Sequence, residues 1–404
     1  MLKQIEGSQG VAAAVALCRP DVICAYPITP QTHIVEDLSA LVKAGKLRSE
    51  YINVESEFAA LSVAIGASAA GVRSYTATSS QGLLFMAEAV YNASGMELPI
   101  VMTLGNRAIG APINIWNDHS DAIAMRGAGW IMLFAETNQE AADLHIQAFR
   151  IAEVLRCPVM ICVDGFVLTH ANDRIDIPMQ DEVDAFLPTF SSDQTLDPAH
   201  PCSVGAMVGP EAFTEVRYLA HIKQQTALLE ITRIADEFYN TFQRHSGGLV
   251  REYRLKDAEV VVVSMGSVTG TIKETIDEER AAGHSIGSLN IVSFRPFPAE
   301  SIREMLKKAR TVIVIDRAIE PGDGGPVFQQ VQHALIGEAP KVCSVIAGLG
   351  GRAVTRPALH RLFEYMRSDA VESPYFLDLN TQALSNFLST QRCRSGCCHS
   401  CGSC

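Results

Sequence analysis

Arg107 follows an apolar run almost directly, in the stretch N-R-A-I-G-A-P-I-N-I-W-N-D-H-S-D at 106–121. A guanidinium at a strand end has the fork needed to clamp a carboxylate in a bidentate pair. The residue pattern leaves it equally open to a surface ion pair in a long loop. Asp118, His119 and Asp121 crowd the same loop, and His119 is a candidate proton shuttle. Glu55 and Glu57, in N-V-E-S-E-F-A-A, precede an apolar helix of small residues that would let a partner's backbone approach closely. Such a glutamate is either a buried hydrogen-bond donor or a helix-start carboxylate favoured by the macrodipole. Thr29 stands between two prolines in Y-P-I-T-P-Q-T, at the carboxyl end of a strand. Parallel sheets bind ligands at that edge, so Thr29 offers a substrate hydroxyl or simply caps the next helix. T-A-T-S-S-Q-G at 76–82 is a hydroxyl-rich strand end that brings backbone amides to a ligand or caps its own helix.

Two further motifs carry metal chemistry or its imitation. Gly322-Asp323-Gly324 resembles the start of a diphosphate–magnesium signature, but the asparagine that should follow is missing from L-G-G-R-A-V at 349–354. It therefore reads as a Gly-rich turn opening a helix. The C-terminus holds Cys393, Cys397, Cys398, Cys401 and Cys404, the last three at C-x-x-C-x-x-C spacing. Thiolates so spaced suit an iron–sulfur cluster or zinc, a redox-sensing tail, or a disordered extension that no helix or strand supports. No H-E-x-x-H pattern is present, which argues against a catalytic zinc.

The elements that must position these residues come from strand–helix alternation. Apolar runs at 22–26, 73–77, 100–104, 130–134 and 158–164 read as buried strands, with helices over 31–42, 58–70, 82–93 and from Thr137 to about Arg156. Thr137 and Glu140 form a capping box. Continuous apolar strands between helices imply a parallel sheet covered on both faces. Residues 173–207, rich in Asp, Pro and Ser, read as a long surface excursion, and 211–246 as a polar helix. A second α/β unit starts near Asp257, with strands at 259–267, 288–293, 311–316 and 342–347.

Composition narrows the classes. With 404 residues, 48% hydrophobic, the chain has material for two or three domains and a large core. A net charge of −12 disfavours general nucleic-acid binding and anionic membrane surfaces. Neither a transmembrane run nor a signal core is evident, and the six scattered cysteines read mostly as buried thiols, so a cytoplasmic location is expected.

Taken in order, Y-P-I-T-P-Q-T, N-V-E-S-E, A-T-S-S-Q-G, the 106–121 stretch, V-D-G-F-V-L-T-H, V-V-S-M-G-S, F-R-P-F-P and D-R-A-I-E-P-G-D-G-G-P resemble the alpha subunits of the 2-oxoacid:ferredoxin oxidoreductase family, pyruvate-type branch, to about Arg367. The resemblance implies an α/β chain: a pyrimidine-type thiamine diphosphate domain at 1–245, a transketolase C-terminal-like domain at 246–370, and an extension at 371–404 outside the family pattern. It implies that a partner beta subunit holds the diphosphate and Mg2+. Gamma, delta or ferredoxin-like subunits would carry 4Fe–4S clusters, ferredoxin would take the electrons, and coenzyme A would be a substrate. Glu57 matches the glutamate that hydrogen-bonds the aminopyrimidine ring and favours its imino tautomer. Thr29 matches the substrate-binding threonine and Arg107 the arginine that holds the substrate carboxylate. The implied reaction is reversible oxidative decarboxylation of pyruvate to acetyl-CoA. The alternatives are another 2-oxoacid (2-oxoglutarate, branched-chain, oxalate), a non-oxidative thiamine enzyme subunit, or a non-catalytic assembly subunit.

Overall fold

The structure, a computed structural model, describes residues 2–192, 194–367 and 372–396, with side chains to 389. Its centre is a seven-stranded sheet. Six of the strands are parallel: in spatial order Ile131–Phe134, Val159–Asp164, Ile100–Asn106, Ser74–Thr78, Val22–Ala25 and Glu50–Asn53. The inner strands are buried on both faces, whereas Glu50–Asn53 at the sheet edge is largely exposed. Tyr75, Val101, Leu133 and Ile161 enter one core with the helices Gly7–Leu17, Thr32–Lys43 and Asn138–Leu155. Met102, Met132, Phe134 and Met160 enter the other.

That second core does not stop at the sheet. It continues through Val261, Val263, Leu289, Ile291, Val312 and Val314 of a six-stranded sheet, so one apolar layer joins the two units. Val262 and Ile313, one residue out of phase, face a third core under the helices Val268–Ala281 and Arg356–Met366. Strand Ser293–Arg295 then leaves the second unit and pairs antiparallel with Ile131–Phe134 as the edge of the first sheet. The single strand expected over 288–293 is thus two strands, Ile286–Ile291 and Ser293–Arg295, serving different sheets.

The expected excursion at 173–207 is partly ordered structure. Asn172–Asp176 pairs antiparallel with Leu2–Glu6, and Gln180–Phe186 is a helix; both follow from packing with the N-terminus, which no local pattern announces. The polar helix is present as Phe213–Phe242, 30 residues long. Its buried Ile231, Ile234 and Phe238 bring roughly 1.5–3 kcal/mol each and dock it, while Phe213, Leu219 and Leu229 stay exposed along it. Thr137 caps Asn138–Leu155 as expected, accepting from Glu140 N at 3.1 Å. The Glu140 carboxylate does not close the box: it accepts from Glu136 N and pairs with Arg251 of the second unit. Cys18, Cys24, Cys157, Cys162 and Cys343 are buried free thiols and Cys202 is exposed. Helix Thr381–Gly396 runs through Cys393, where no element was expected. Cys397, Cys398, Cys401 and Cys404, and the Cys393 side chain, lie outside the described residues, and so does the proposed tail metal site.

Candidate active site

The carboxyl ends of the central strands deliver the candidate residues to one edge. Strand Glu50–Asn53 leads to Ser56, whose hydroxyl caps the next helix by accepting from Ala59 N at 3.2 Å. Glu57 is the first residue of that helix and is only 8% exposed, whereas Glu55 is exposed. Packing therefore separates two glutamates that sequence spacing left equivalent. Glu57 has no hydrogen bond or ion pair with any described residue. It lies against Gly82, where an added Cβ would meet Glu57 Oε1 at 2.7 Å and Thr78 Oγ1 at 2.6 Å. Gly82, just past the hydroxyl-rich strand end, thus packs against the glutamate.

Arg107 is 9% exposed and has no acidic partner among the described residues. Two carbonyls orient its guanidinium: Nε donates to Asn114 O at 3.2 Å and a terminal nitrogen donates to Thr29 O at 3.0 Å. Thr29 contributes that carbonyl while its side chain is left exposed at the bend. A buried cation held by neutral acceptors keeps its charge available for an anion, which the surface ion-pair reading does not explain.

Asp121 is the tie between these loops. Fully buried, it accepts from Asn106 Nδ2 at 2.9 Å, Arg107 N at 3.0 Å and Ser80 N at 3.0 Å. Burial pushes its carboxyl up to about 7 against the pull of those donors. One side chain thereby fixes the ends of strands Ser74–Thr78 and Ile100–Asn106 relative to each other. Residue order showed Asp121 only as one acid in a cluster. The signal for its role is an aspartate in the first turn of a helix, directly before the apolar A-I-A at 122–124.

His119, a candidate proton shuttle by residue type, is held as part of the buried framework of the site. It is 1% exposed, its Nε2 is bonded to Asp164 Oδ1 at 2.8 Å and its ring lies on Phe134. Asp164 also receives Arg317 at 2.7 Å and Ser267 N at 2.8 Å, both from the second unit. Burial opposes ionisation of Asp164, but Arg317 and His119 outweigh it and hold the carboxyl well below the usual range. Asp118 accepts from Gly350 N and Asn114 donates to Gly350 O, at 3.0 and 3.1 Å. The 106–121 loop therefore has two sides: one presents Arg107 and the other clamps the second unit. Gly322-Asp323-Gly324 is a surface turn leading into helix Pro326–Ala334, as expected.

Several buried polar atoms near this edge lack a partner among the described residues: Gln31 Oε1, Thr78 Oγ1, Ser79 Oγ and Asn106 Oδ1. Sequence reasoning passed over Gln31, a polar residue hidden at a helix start. A heteroaromatic, hydrogen-bonding ligand would satisfy such a set.

Comparison with known proteins gives the family. Residues 13–235 match the family described as pyruvate flavodoxin/ferredoxin oxidoreductase, thiamine diP-bdg. Residues 258–358 match pyruvate:ferredoxin oxidoreductase core domain II. The chain belongs to the pyruvate:ferredoxin oxidoreductase family. It is 46% identical to the pyruvate synthase subunit PorA of Methanosarcina barkeri, over 94% of this chain and 97% of that one. It is 45% identical to the subunit of the same name from Methanothermobacter thermautotrophicus, over 88% and 92%. The relatives are subunits, so this family member is one part of a multi-subunit enzyme. A solved 2-oxoglutarate:ferredoxin oxidoreductase from Magnetococcus marinus, with 2-oxoglutarate, coenzyme A and succinyl-CoA bound, has the same fold: TM-score 0.70, 19% identity, 90% of this chain and 65% of that one. Among the described residues of this family member no helix is long and apolar enough to cross a membrane.

Proposed function

We propose that this chain is the alpha subunit of a cytoplasmic pyruvate:ferredoxin oxidoreductase. The enzyme converts pyruvate and coenzyme A to acetyl-CoA and CO2, passes two electrons to ferredoxin, and runs in both directions. The observation that carries the reading is the pairing, at one sheet edge, of an acid-free buried guanidinium (Arg107) with an unpartnered buried carboxyl (Glu57). The first suits a 2-oxoacid carboxylate and the second suits an aminopyrimidine.

The orphaned atoms of Gln31, Thr78 and Ser79 fit thiamine diphosphate on its pyrimidine side, with Glu57 as the group that holds a hydrogen bond to the ring. When bound, the cofactor supplies the nucleophilic carbon and electron sink that decarboxylation needs. Arg107 binds and orients the substrate carboxylate, and its hold ends as that group leaves as CO2. Thr29, exposed beside it, offers its hydroxyl to the 2-oxo end of the substrate. No diphosphate signature is evident on this chain, which supports a partner beta subunit holding the diphosphate and Mg2+. The exposed Phe58 and Phe85 next to Glu57 and Gly82 support an intersubunit face there. Gamma, delta or ferredoxin-like subunits with 4Fe–4S clusters carry the electrons to ferredoxin.

The test is turnover by the affinity-purified native complex, with pyruvate, coenzyme A and a low-potential acceptor. Two reducing equivalents per acetyl-CoA are expected. Turnover only with a different 2-oxoacid would replace the substrate, and no acceptor reduction with any 2-oxoacid would overturn the reading. In the same assay Arg107→Lys keeps the charge and loses the fork, so kcat/KM for pyruvate should fall about 10–100-fold, as expected for ~1.5–3 kcal/mol of charge-assisted hydrogen bonding.

A further inference from the structure

Away from the Glu57–Arg107 pair, three residues distant in sequence converge. Glu6, His33 and His170 each bring one carboxylate or imidazole ligand atom, and these atoms all lie within 4.8 Å of one another. His33 Nδ1 and Glu6 Oε1 are 2.6 Å apart. Glu6 and His170 are half-buried and His33 is exposed, so the cluster has a fixed floor and an open mouth.

Backbone hydrogen bonds lock the segments beneath, and a capping box between Glu6 and Gln9 starts helix Gly7–Leu17. Glu6 ends a strand in register with Asn172, Gly7 N donates to Ala171 O at 3.0 Å, and Ser8 N donates to Thr169 O at 2.9 Å. His33 lies in the first turn of helix Thr32–Lys43, directly after the Thr29 bend. Thr169 Oγ1 engages His170 Nδ1 at 2.7 Å, itself anchored by Phe166 N at 2.8 Å, which fixes the ring and leaves the other nitrogen without a partner among the described residues. An outer hydrogen bond of that kind is how proteins aim a ligating imidazole. The rings of His33, His170, Phe166 and Trp116 form a continuous column with centroid spacings of 4.6, 4.8 and 4.7 Å, linking the cluster to the substrate loop.

We infer that Glu6, His33 and His170 form a binding site for one divalent first-row transition-metal ion. Two imidazoles and a carboxylate suit zinc, cobalt, nickel or ferrous iron over magnesium or calcium, which favour all-oxygen sets. The ion staples the N-terminal strand, the Thr29 bend and the loop after Val159–Asp164 to one another. Its role is to position the wall that carries Thr29. It takes no part in the chemistry.

The test is titration of the chelator-treated full chain with Co2+ alone. The wild-type chain should bind one ion more than a His33→Ala, His170→Ala double variant. That ion should show weak d–d absorption without the intense sulfur-to-cobalt charge transfer that thiolates of the C-terminal cysteines would give, and it should raise Tm in the wild type only. Equal stoichiometry in both chains, or an extra ion with thiolate charge transfer, overturns the site. Should the double variant not fold, His33→Ala alone changes an exposed side chain and should weaken Co2+ binding at least about tenfold, by analogy with losses at outer-shell positions; unchanged affinity there is equally fatal.

Discussion

At the scale of residues, function depends on groups left unpaired where pairing is the rule. A buried carboxyl and a buried guanidinium normally find each other or another partner. Among the described residues the Glu57 carboxylate has no partner, and the Arg107 guanidinium has two backbone carbonyls but no acid. Gly82 packs against that carboxylate. A methyl there would press on Thr78 Oγ1 and on both Oε1 and Cγ of Glu57, all in buried side chains. Gly82→Ala should therefore lower the melting temperature by a few degrees without unfolding the chain. It should lower kcat about 10²-fold or more by shifting Glu57, at the low end of what misplacing a proton-handling group costs. Steady-state kinetics beside a thermal melt would check this; a full loss of Tm with normal kcat in the remaining folded fraction would contradict it.

At the scale of elements, the 106–121 loop is a long connection held open by specific contacts at both ends. Asp121 binds it to the neighbouring strand end, and Asn114 and Asp118 bind it to the turn at Gly350. Gly351 sits with φ +80°, and a Cβ there would stand 2.4 Å from Trp116 Cβ, an atom fixed to the loop backbone. Gly351→Ala should push the loop off its seat and raise KM for the 2-oxoacid several-fold, because Arg107 is oriented by Asn114 O of the same loop. Substrate kinetics on the intact complex would show it, and an unchanged KM would mean that the loop is not held from that side.

For the whole molecule, a shared apolar layer and charge contacts between the units join the two sheets, the most deeply buried of them at Asp164. Asp164 and Arg317 are 153 positions apart and meet at 2.7 Å with both side chains almost fully covered. Asp164→Asn strands Arg317 without its acid and should cost about 3–5 kcal/mol, read as a lowered Tm at neutral pH. The pH dependence has a definite sign. The Asp164 carboxyl is held below its unfolded value of about 3.9, so its contribution is present above that pH and is lost as pH falls further. The wild type should therefore lose Tm on acidification more steeply than Asp164→Asn. Adding Arg317→Met should recover part of the neutral-pH loss by removing both charges. Calorimetry at pH 7 and at about pH 3 separates these outcomes.

What the sequence determined by itself was everything written in short range. Apolar runs, a threonine cap and proline–glycine punctuation fix where strands and helices lie, because periodicity and capping involve neighbours within a turn. Ordered motifs around Thr29, Glu57 and Arg107 likewise carry the family. Tertiary structure alone decided the rest. It buried Glu57 and exposed Glu55, built His119 into the buried framework, and sent Ser293–Arg295 to the other sheet. It also folded part of 173–207 onto the N-terminus and gathered Glu6, His33 and His170. Each of those outcomes depends on which distant surface covers a residue, and burial and long-range pairing leave no periodic trace along the chain.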